Sequence, residues 1–327
     1  MTPIDRNVLE LDCAAEVERI AGWLRDRTAR VLKRRGLVVA TSGGIDSSVC
    51  AALAVRALGP GKVLSLILPE RDSSDDSAVR ATMLCEHLGI ESVTTDIAPT
   101  LEAIGCYRWR DEAVRAVLPE YGPGWKMKIV IRGGLAGQVN RFNVVAQSAD
   151  GTLVEKSLPL RPYLQIVAAT NFKQRVRKTL EYFHADRLNY AVVGTPNRLE
   201  YDQGFFVKNG DGSADVKPIA HLYKTQVYAM ARHLGLPERV CSAVPTTDTY
   251  SLGQGQDEFY FALPYQQMDL ALWAMEHDRP PAELALALDV DVPAAEAIYA
   301  DIQAKRHAAR YLHMPPQTLD DDGSGGH

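Results

Sequence analysis

The chain has 327 residues, of which 46% are hydrophobic and 24% charged, so it is long enough to bury a full core in one large domain. Its 36 basic and 41 acidic residues leave a formal net charge of −5, which argues against general affinity for nucleic acid. Neither a run of about 18 apolar residues nor a signal-peptide pattern is present, so no membrane association is expected.

The five cysteines are scattered, without a C-x-x-C pair or a histidine spacing typical of zinc sites. An odd number of unclustered cysteines indicates reduced thiols and predicts a cytoplasmic protein. Cys50 falls on an apolar helix face and is predicted to be a core residue rather than a nucleophile.

Apolar strands alternate with amphipathic helices over most of the chain. Four short apolar runs are predicted strands: 38–41, 63–68, 92–97 and 191–195. The main helical patterns among them are 8–35, 45–58, 78–88 and 172–185. Gly36 is predicted to end the first of these helices. Continuous apolar strands separated by helices predict an α/β fold, a doubly wound parallel sheet with helices on both faces.

The rhythm changes at 105–163, where Lys126–Arg132 and Phe142–Leu158 alternate like a β-hairpin around residues 149–151. This range is predicted to be an inserted β-ribbon with substrate or subunit contacts. Three helical patterns follow the last polar loop: 265–277, 281–288 and 293–311. The predicted division is an α/β domain (1–104 and 164–262), the ribbon (105–163), a C-terminal helical segment (263–313) and a disordered tail (314–327).

The first strand runs directly into Ser42-Gly43-Gly44-Ile45-Asp46-Ser47-Ser48, at the start of a helix. The first N–H groups of a helix have no intrahelical partners and lie at the positive end of its dipole, so this turn predicts an anion site. Glycine lets the backbone approach an oxygen cluster, and Asp46 can hold a metal ion beside it. The Gly-Lys-Ser/Thr ending of nucleoside triphosphatases is missing, and so is G-x-G-x-x-G.

Further polar residues follow later strands and loops. Glu200 follows the fourth strand, and Lys208 and Asp211 lie in a glycine-rich loop. Lys224 begins a helix, where the dipole disfavours a cation unless an anion is near. Taken singly, each has an ordinary structural interpretation: a surface acid, a solvated lysine or a tight turn.

Taken in order, these motifs resemble those of the ammonia-dependent NAD synthetases, from about residue 15 to residue 312. That family, one of the ATP pyrophosphatases, has the patterns S-G-G-x-D-S, N-x-x-x-R-x-R, G-T-x-N-x-x-E, a glycine-rich loop ending G-D-G-x-x-D-x-x-P, L-x-K-x-Q-V and D-E. The corresponding segments of this chain are 42–47, 171–177, 194–200, 204–218, 222–227 and 257–258.

The resemblance implies a role for each matching residue. Asp46, Lys208 and Lys224 would be catalytic, and Asp46 and Glu200 would hold Mg²⁺. The ATP-binding residues would be Ser42, Gly43, Gly44, Asp46, Ser47, Thr195, Lys208, Lys224 and Thr246. The residues for the acceptor, which in this family crosses a dimer interface, would be Arg175, Arg177, Asp211 and Asp215. A homodimer is therefore expected.

The implied reaction is ATP-dependent amidation of a carboxylate through an acyl-adenylate, with release of AMP and pyrophosphate. Nicotinic acid adenine dinucleotide is the expected acceptor. The roughly 40 residues before Thr41 cannot hold a glutaminase, so the nitrogen source is predicted to be free ammonia or a separate protein that delivers it.

Some residues depart from the family pattern, and they leave alternatives open. Thr246-Thr247-Asp248-Thr249 replaces T-A-D-L, and Pro196 fills a position that is usually polar or small. These changes favour, as an alternative, a related ligase that amidates a different carboxylate in a specialised pathway. A nucleotide-binding regulatory protein without turnover has less need of two metal-ligand acids. A tRNA-modifying thiolase or lysidine synthetase would share the first loop only.

Overall fold

The computed structural model describes residues 4–132, 141–243, 250–253, 255 and 263–319. The strands within these ranges are β1 (Leu37–Ala40), β2 (Val63–Ile67), β3 (Glu91–Thr94), β4 (Lys126–Arg132), β5 (Arg141–Gln147), β6 (Leu153–Ser157) and β7 (Ala191–Val193). The α-helices are α1 (Cys13–Asp26), α2 (Ile45–Leu58), α3 (Asp75–Leu88), α4 (Ala98–Ala103), α5 (Cys106–Arg115), α6 (Leu160–Leu188), α7 (Arg198–Gln203), α8 (Lys224–His233), α9 (Glu238–Cys241), α10 (Tyr265–Glu276), α11 (Pro281–Leu288) and α12 (Val292–His313).

The central sheet has the strand order β3-β2-β1-β7, and all of its paired strands are parallel. Successive side chains of β1 point to opposite faces: Leu37 and Val39 pack in one buried cluster and Val38 in another. Helices α1, α2 and α8 contribute to the first cluster, and α4, α5 and α6 to the second. The predicted α/β fold, with a parallel sheet covered on both faces, is confirmed.

The prediction of one helix over 8–35 is wrong. The chain forms a 3-10 turn at Arg6–Leu9, then α1, and then a π-helical turn at Arg27–Val31. Gly36 does not end a helix. A Cβ built on Gly36 would lie 2.5 Å from the Lys62 carbonyl oxygen and 2.5 Å from the Tyr190 ring, so glycine is required here by close packing at the start of β1.

Helix α6 is much longer than the predicted 172–185. It has 29 residues and ends at Asn189, which adopts a left-handed conformation with φ 57°. The missed part is mainly its start, residues 160–171, where Pro162 stands in the first turn; proline is tolerated there because a first-turn N–H has no intrahelical partner.

The predicted hairpin around 149–151 is present as β5 and β6, and β4 pairs with β5 to give a three-stranded antiparallel sheet of order β4-β5-β6. Residues 149–151 join β5 to β6, and β4 is an additional strand beside β5. The sheet packs on α5 and on the beginning of α6 through a buried cluster that includes Val114, Met127, Val144 and Ile166. The range predicted to be a β-ribbon, 105–163, begins with the helix α5 and not with a strand.

The C-terminal helices α10, α11 and α12 pack together and cover α7, with Leu199 buried among them. Their predicted positions are confirmed to within two residues at each end. No helix within the described ranges is long and apolar enough to cross a membrane.

Candidate active site

The glycine-rich turn lies between the end of β1 and the start of α2. Gly43 has φ +75°, and a Cβ there would lie 2.4 Å from the Ser77 carbonyl oxygen, so only glycine fits. The Ser42 N–H donates to Ser47 Oγ at 3.2 Å, and Ser48 Oγ donates to the Gly44 carbonyl at 2.8 Å. The 14-residue helix α2 begins without a side-chain cap, so its first N–H groups can receive an anion.

Three helices bring four polar side chains together at the carboxyl edge of the sheet. Lys224 Nζ forms an ion pair with Asp46, and Asn197 Nδ2 donates to Asp46 Oδ1 at 3.0 Å. Asn197 and Glu200 form a capping box at the start of α7, because the Asn197 N–H donates to Glu200 Oε2 at 3.1 Å and the Glu200 N–H to Asn197 Oδ1 at 3.2 Å. We call Asp46, Asn197, Glu200 and Lys224 the rim cluster.

Sequence reasoning assigned no role to Asn197, although the G-T-x-N-x-x-E spacing contains it. Asn197 is 1% exposed, and it links Asp46 to Glu200 by accepting from one backbone and donating to one carboxylate. The sequence pattern that could have indicated this role is the three-residue spacing of Asn197 and Glu200. This spacing is typical of a capping box, which predicts a helix start and a fixed orientation for both side chains.

The rim cluster keeps Lys224 charged although its side chain is only 2% exposed. Burial alone would lower the pKa of Lys224, but the carboxylates of Asp46 and Glu200 outweigh it and raise that pKa above its usual value. The ammonium group is therefore present throughout the neutral pH range, beside the start of α2.

Asp269 of α10 supports the same lysine from behind. Its carboxylate accepts the backbone N–H groups of Lys224 at 3.1 Å and Thr225 at 2.7 Å, so it caps α8 from another helix. Asp269 is fully buried, and burial raises its pKa from 3.8 to about 6, despite these hydrogen bonds.

We expect Asp269→Asn to change how stability depends on pH. The folded protein holds this proton up to about pH 6, whereas an unfolded aspartate loses it near pH 4, so the folded state binds more protons between these values. The contribution of Asp269 to stability therefore falls as pH rises through this interval, by about 3 kcal/mol. The difference in Tm between the native protein and the variant should fall from pH 4 to 6 and level off above pH 7. A constant difference would contradict the assignment.

Lys208 belongs to a second group of residues. Its Nζ donates to the carbonyl oxygens of Tyr311 at 2.9 Å and Met314 at 3.0 Å, at the end of α12. Arg175 Nε donates to the Lys208 carbonyl at 3.3 Å. Lys208, Arg175 and Tyr311 line a cavity of about 240 Å³ together with Asn171, Phe206, Val207, Asn209 and Leu312.

The remaining predicted acceptor residues, Arg177, Asp211 and Asp215, form hydrogen bonds mainly with backbone groups. Arg177 Nε donates to the carbonyl of Leu68, the residue after β2, at 3.2 Å. Asp211 Oδ1 accepts the Val207 N–H at 2.7 Å, and burial raises the pKa of this carboxyl. Asp215 accepts the Val192 N–H at 2.7 Å and the Tyr182 hydroxyl at 3.4 Å.

Two predicted ATP contacts remain. Thr195 is half-buried, two residues after the end of β7. Thr246 lies outside the described residues, as do Asp257 and Glu258.

The donor set of the rim cluster fits Mg²⁺. Mg²⁺ prefers oxygen ligands and is commonly held by one or two carboxylates, with substrate phosphates and water completing its shell. Asp46 and Glu200 supply two carboxylates beside the helix start. No group of three or more His, Cys, Asp or Glu side chains that could hold a metal occurs in the described part of the chain.

A family model described as NAD synthase matches residues 16–118 and 143–311. The chain belongs to the NAD synthase family. An NH3-dependent NAD+ synthetase of Rhizobium meliloti (strain 1021) is 54% identical over 314 residues, which cover 96% of this chain and 94% of that protein. An NH3-dependent NAD+ synthetase of Thermotoga neapolitana is 40% identical over 259 residues, covering 79% and 83% of the two chains.

Two solved structures share the fold of this chain. An NH3-dependent NAD synthetase from Campylobacter jejuni aligns with a TM-score of 0.62 at 22% identity, covering 95% of this chain and 100% of that one, and it supports the fold. An NAD+ synthetase from Burkholderia pseudomallei aligns with a TM-score of 0.55 at 25% identity, covering 93% of each chain. The family predicted from the order of motifs is confirmed. The family match omits 119–142, a range that contains β4.

Proposed function

We propose that this member of the NAD synthase family is an ammonia-dependent ligase that converts nicotinic acid adenine dinucleotide into NAD. The reaction forms a C–N bond through an acyl-adenylate and releases AMP and pyrophosphate from ATP. The observation that carries the proposal is the buried, charged Lys224 paired with Asp46 at the start of α2, in a chain 54% identical to an NH3-dependent NAD+ synthetase.

The chemistry needs charge neutralisation more than it needs a protein nucleophile. A carboxylate is a poor acyl electrophile, so its oxygen first attacks the α-phosphorus of ATP, and the bond from that phosphorus to the bridging oxygen of the pyrophosphate breaks. The N–H groups at the start of α2 and the Lys224 ammonium can meet the negative charge on the departing pyrophosphate. Ammonia then attacks the acyl carbon, and AMP leaves.

Asp46 has two tasks in this scheme. Its carboxylate orients the Lys224 ammonium group through their ion pair, and it offers an oxygen ligand next to the phosphate turn. Mg²⁺, when bound by Asp46 and Glu200, would supply additional positive charge to the triphosphate. Asn197 keeps both acids in place through its bonds to Asp46 and to the Glu200 backbone.

The charge of the second group matches the acceptor. Nicotinic acid adenine dinucleotide carries a pyrophosphate and a carboxylate, and α6 presents Arg175 at the cavity and Arg177 at the nearby sheet edge. Guanidinium groups suit such anions because they donate in a planar fork. We further propose that the enzyme is a cytoplasmic homodimer that uses free ammonia or ammonia from a separate donor protein.

The test is a product assay with purified protein, ATP, Mg²⁺ and ammonium, with and without nicotinic acid adenine dinucleotide. The proposal requires AMP, pyrophosphate and NAD in equal amounts, with NAD identified by mass. Replacing ammonium by glutamine should stop NAD formation. Acceptor-dependent release of AMP and pyrophosphate only with another carboxylate would replace the proposal with the alternative ligase. ATP binding without turnover on any tested carboxylate would overturn the ligase assignment itself.

A further inference from the structure

The segment 68–72 follows β2 and leads into α3 at the carboxyl edge of the sheet. Its first carbonyl, on the buried Leu68, holds Arg177 Nε at 3.2 Å. Further along, α3 itself contacts the phosphate turn, because Arg80 Nε donates to the Gly43 carbonyl at 3.0 Å. The position of 68–72 therefore affects where the side chain of Arg177 lies.

A buried group of charged and polar residues fixes this segment. Lys173 of α6 donates to Glu70 Oε1 at 2.9 Å and to Asp72 Oδ2 at 2.7 Å. Two residues of α5 approach from the other side: the Tyr107 hydroxyl donates to Glu70 Oε2 at 2.8 Å, and Arg110 Nη1 to Asp72 Oδ2 at 2.6 Å. We call these five residues the β2–α3 clamp.

The burial of the clamp is nearly complete. The side chains of its four charged members, Glu70, Asp72, Arg110 and Lys173, are between 0% and 5% exposed. Removing four charges from water is costly, and well-packed apolar residues of similar volume often stabilise a protein as well or better. A stability role alone therefore does not account for this arrangement. What distinguishes the arrangement is that it fixes the position of each carboxylate, since each one bonds to a residue of α5 and to a residue of α6.

Lys173 and Arg177 are four residues apart, so they lie on the same face of α6 one turn from each other. The residues of this face form hydrogen bonds with the segment at three points: the Leu68 carbonyl, Glu70 and Asp72. Helix α5 forms hydrogen bonds with the same two acids. The relative positions of Arg177 and the end of β2 are thus determined from both sides.

We propose that the β2–α3 clamp is a positioning device for the acceptor: Lys173, Arg110 and Tyr107 fix segment 68–72 so that Leu68 orients Arg177 toward an anionic group of the dinucleotide. This inference rests on the proposed function. It assigns to α5 a role in acceptor recognition, and it makes Arg110, Tyr107 and Lys173 positioning residues rather than catalytic ones.

The test is a charge-balanced variant, Asp72→Asn with Arg110→Met, which removes one acid and one base and leaves the Glu70–Lys173 pair. We expect KM for the acceptor to rise about ten- to a hundred-fold, the range for a lost hydrogen bond to a charged group, while KM for ATP changes less than about two-fold. Tyr107→Phe removes only a hydroxyl, and it should shift KM for the acceptor the same way by about three- to ten-fold.

The matched control is Asp26→Asn with Arg30→Met, which removes the same two residue types from an exposed pair outside the site. It should leave both KM values unchanged. A structural role for the clamp would lower Tm and the amount of active enzyme without separating the two KM values. Equal changes in both KM values, or none, in the Asp72/Arg110 variant would overturn the proposal.

A crystal structure of the Asp72/Arg110 variant separates this proposal from the proposed function. If the native protein makes no NAD, the proposed function fails, but the structure of the variant still tests whether the clamp positions Arg177. If the clamp positions Arg177, the hydrogen bond from Arg177 Nε to the Leu68 carbonyl should be lost in the variant. Retention of that contact refutes the clamp whatever the substrate.

Discussion

Asp46→Asn is expected to lower the rate of pyrophosphate release by about a thousand-fold, because the reaction loses an oxygen ligand beside the triphosphate and the oriented position of Lys224. The same change should also destabilise the protein. Lys224 is 2% exposed, and removing one partner of a buried ion pair costs about 3–5 kcal/mol. Glu200 also raises the pKa of Lys224, so its charge offsets part of this cost.

The double variant Asp46→Asn with Lys224→Met separates catalysis from stability. Removing both charges leaves no unpaired lysine, so Tm should return toward the native value. Pyrophosphate release should stay at the level of the single variant or below it, because the ammonium group that meets the leaving pyrophosphate is then also missing. Tm comes from thermal unfolding and the rate from a pyrophosphate assay on the same preparations.

The control for this pair is Asp301→Asn with Lys305→Met, an ion pair of the same residue types within α12. It should leave the rate of pyrophosphate release unchanged. Recovery of pyrophosphate release in the Asp46/Lys224 double variant would remove both residues from the reaction. A double variant as unstable as Asp46→Asn would show that the destabilisation does not come from an unpaired lysine.

Lys208→Met is expected to lower kcat/KM by about a hundred- to a thousand-fold, as the loss of one charged donor commonly does. Its Tm should change little, since the ammonium group bonds to two carbonyls at the end of α12 that water can reach in its absence. Lys156→Met removes an exposed lysine of β6, and this control should leave kcat/KM unchanged. A rise in KM alone, with kcat unchanged, would make Lys208 a binding residue.

A companion variant tests what holds Lys208 in its place. Tyr311→Ala keeps the backbone carbonyl that accepts from Lys208 Nζ. It removes the aromatic ring, whose centroid lies 4.3 Å from Lys208 Nζ. A cation–π contact at a partly exposed site contributes about 0.5–1 kcal/mol, so we expect kcat/KM to fall about two- to five-fold. An effect as large as that of Lys208→Met would show that the ring, and not the carbonyls, places the lysine.

Several features of the protein could be predicted from local patterns alone. The strand, glycine turn and helix start around Gly43 follow from rules that act over a few residues: an apolar run, a residue that accepts φ +75°, and a helix whose first N–H groups lack partners. The parallel α/β sheet follows from alternating apolar strands and helices. The order of motifs was sufficient to predict the family.

Other features required the tertiary structure, because they join residues that are distant in sequence. The partners Lys224 and Asp46 are 178 positions apart, and Lys208 and Tyr311 are 103 apart. Each residue shows a possible charge or donor in the sequence, but its partner depends on how helices pack. Local patterns also missed the first twelve residues of α6, where Pro162 stands in the first turn, and the pairing of β4 with β5, because strand pairing is not encoded within either strand.

The β2–α3 clamp is the clearest case of this division. No local pattern indicates that Glu70 and Asp72 pair with Lys173, since the sequence places about 100 positions between Lys173 and either acid. Packing of α5 and α6 against the end of β2 buries all four charged residues of the clamp, and burial makes their pairing obligatory. Local sequence determined which chemical groups this protein carries at the edge of its sheet, and tertiary packing decided which of them meet, because an ion pair depends on distance in space.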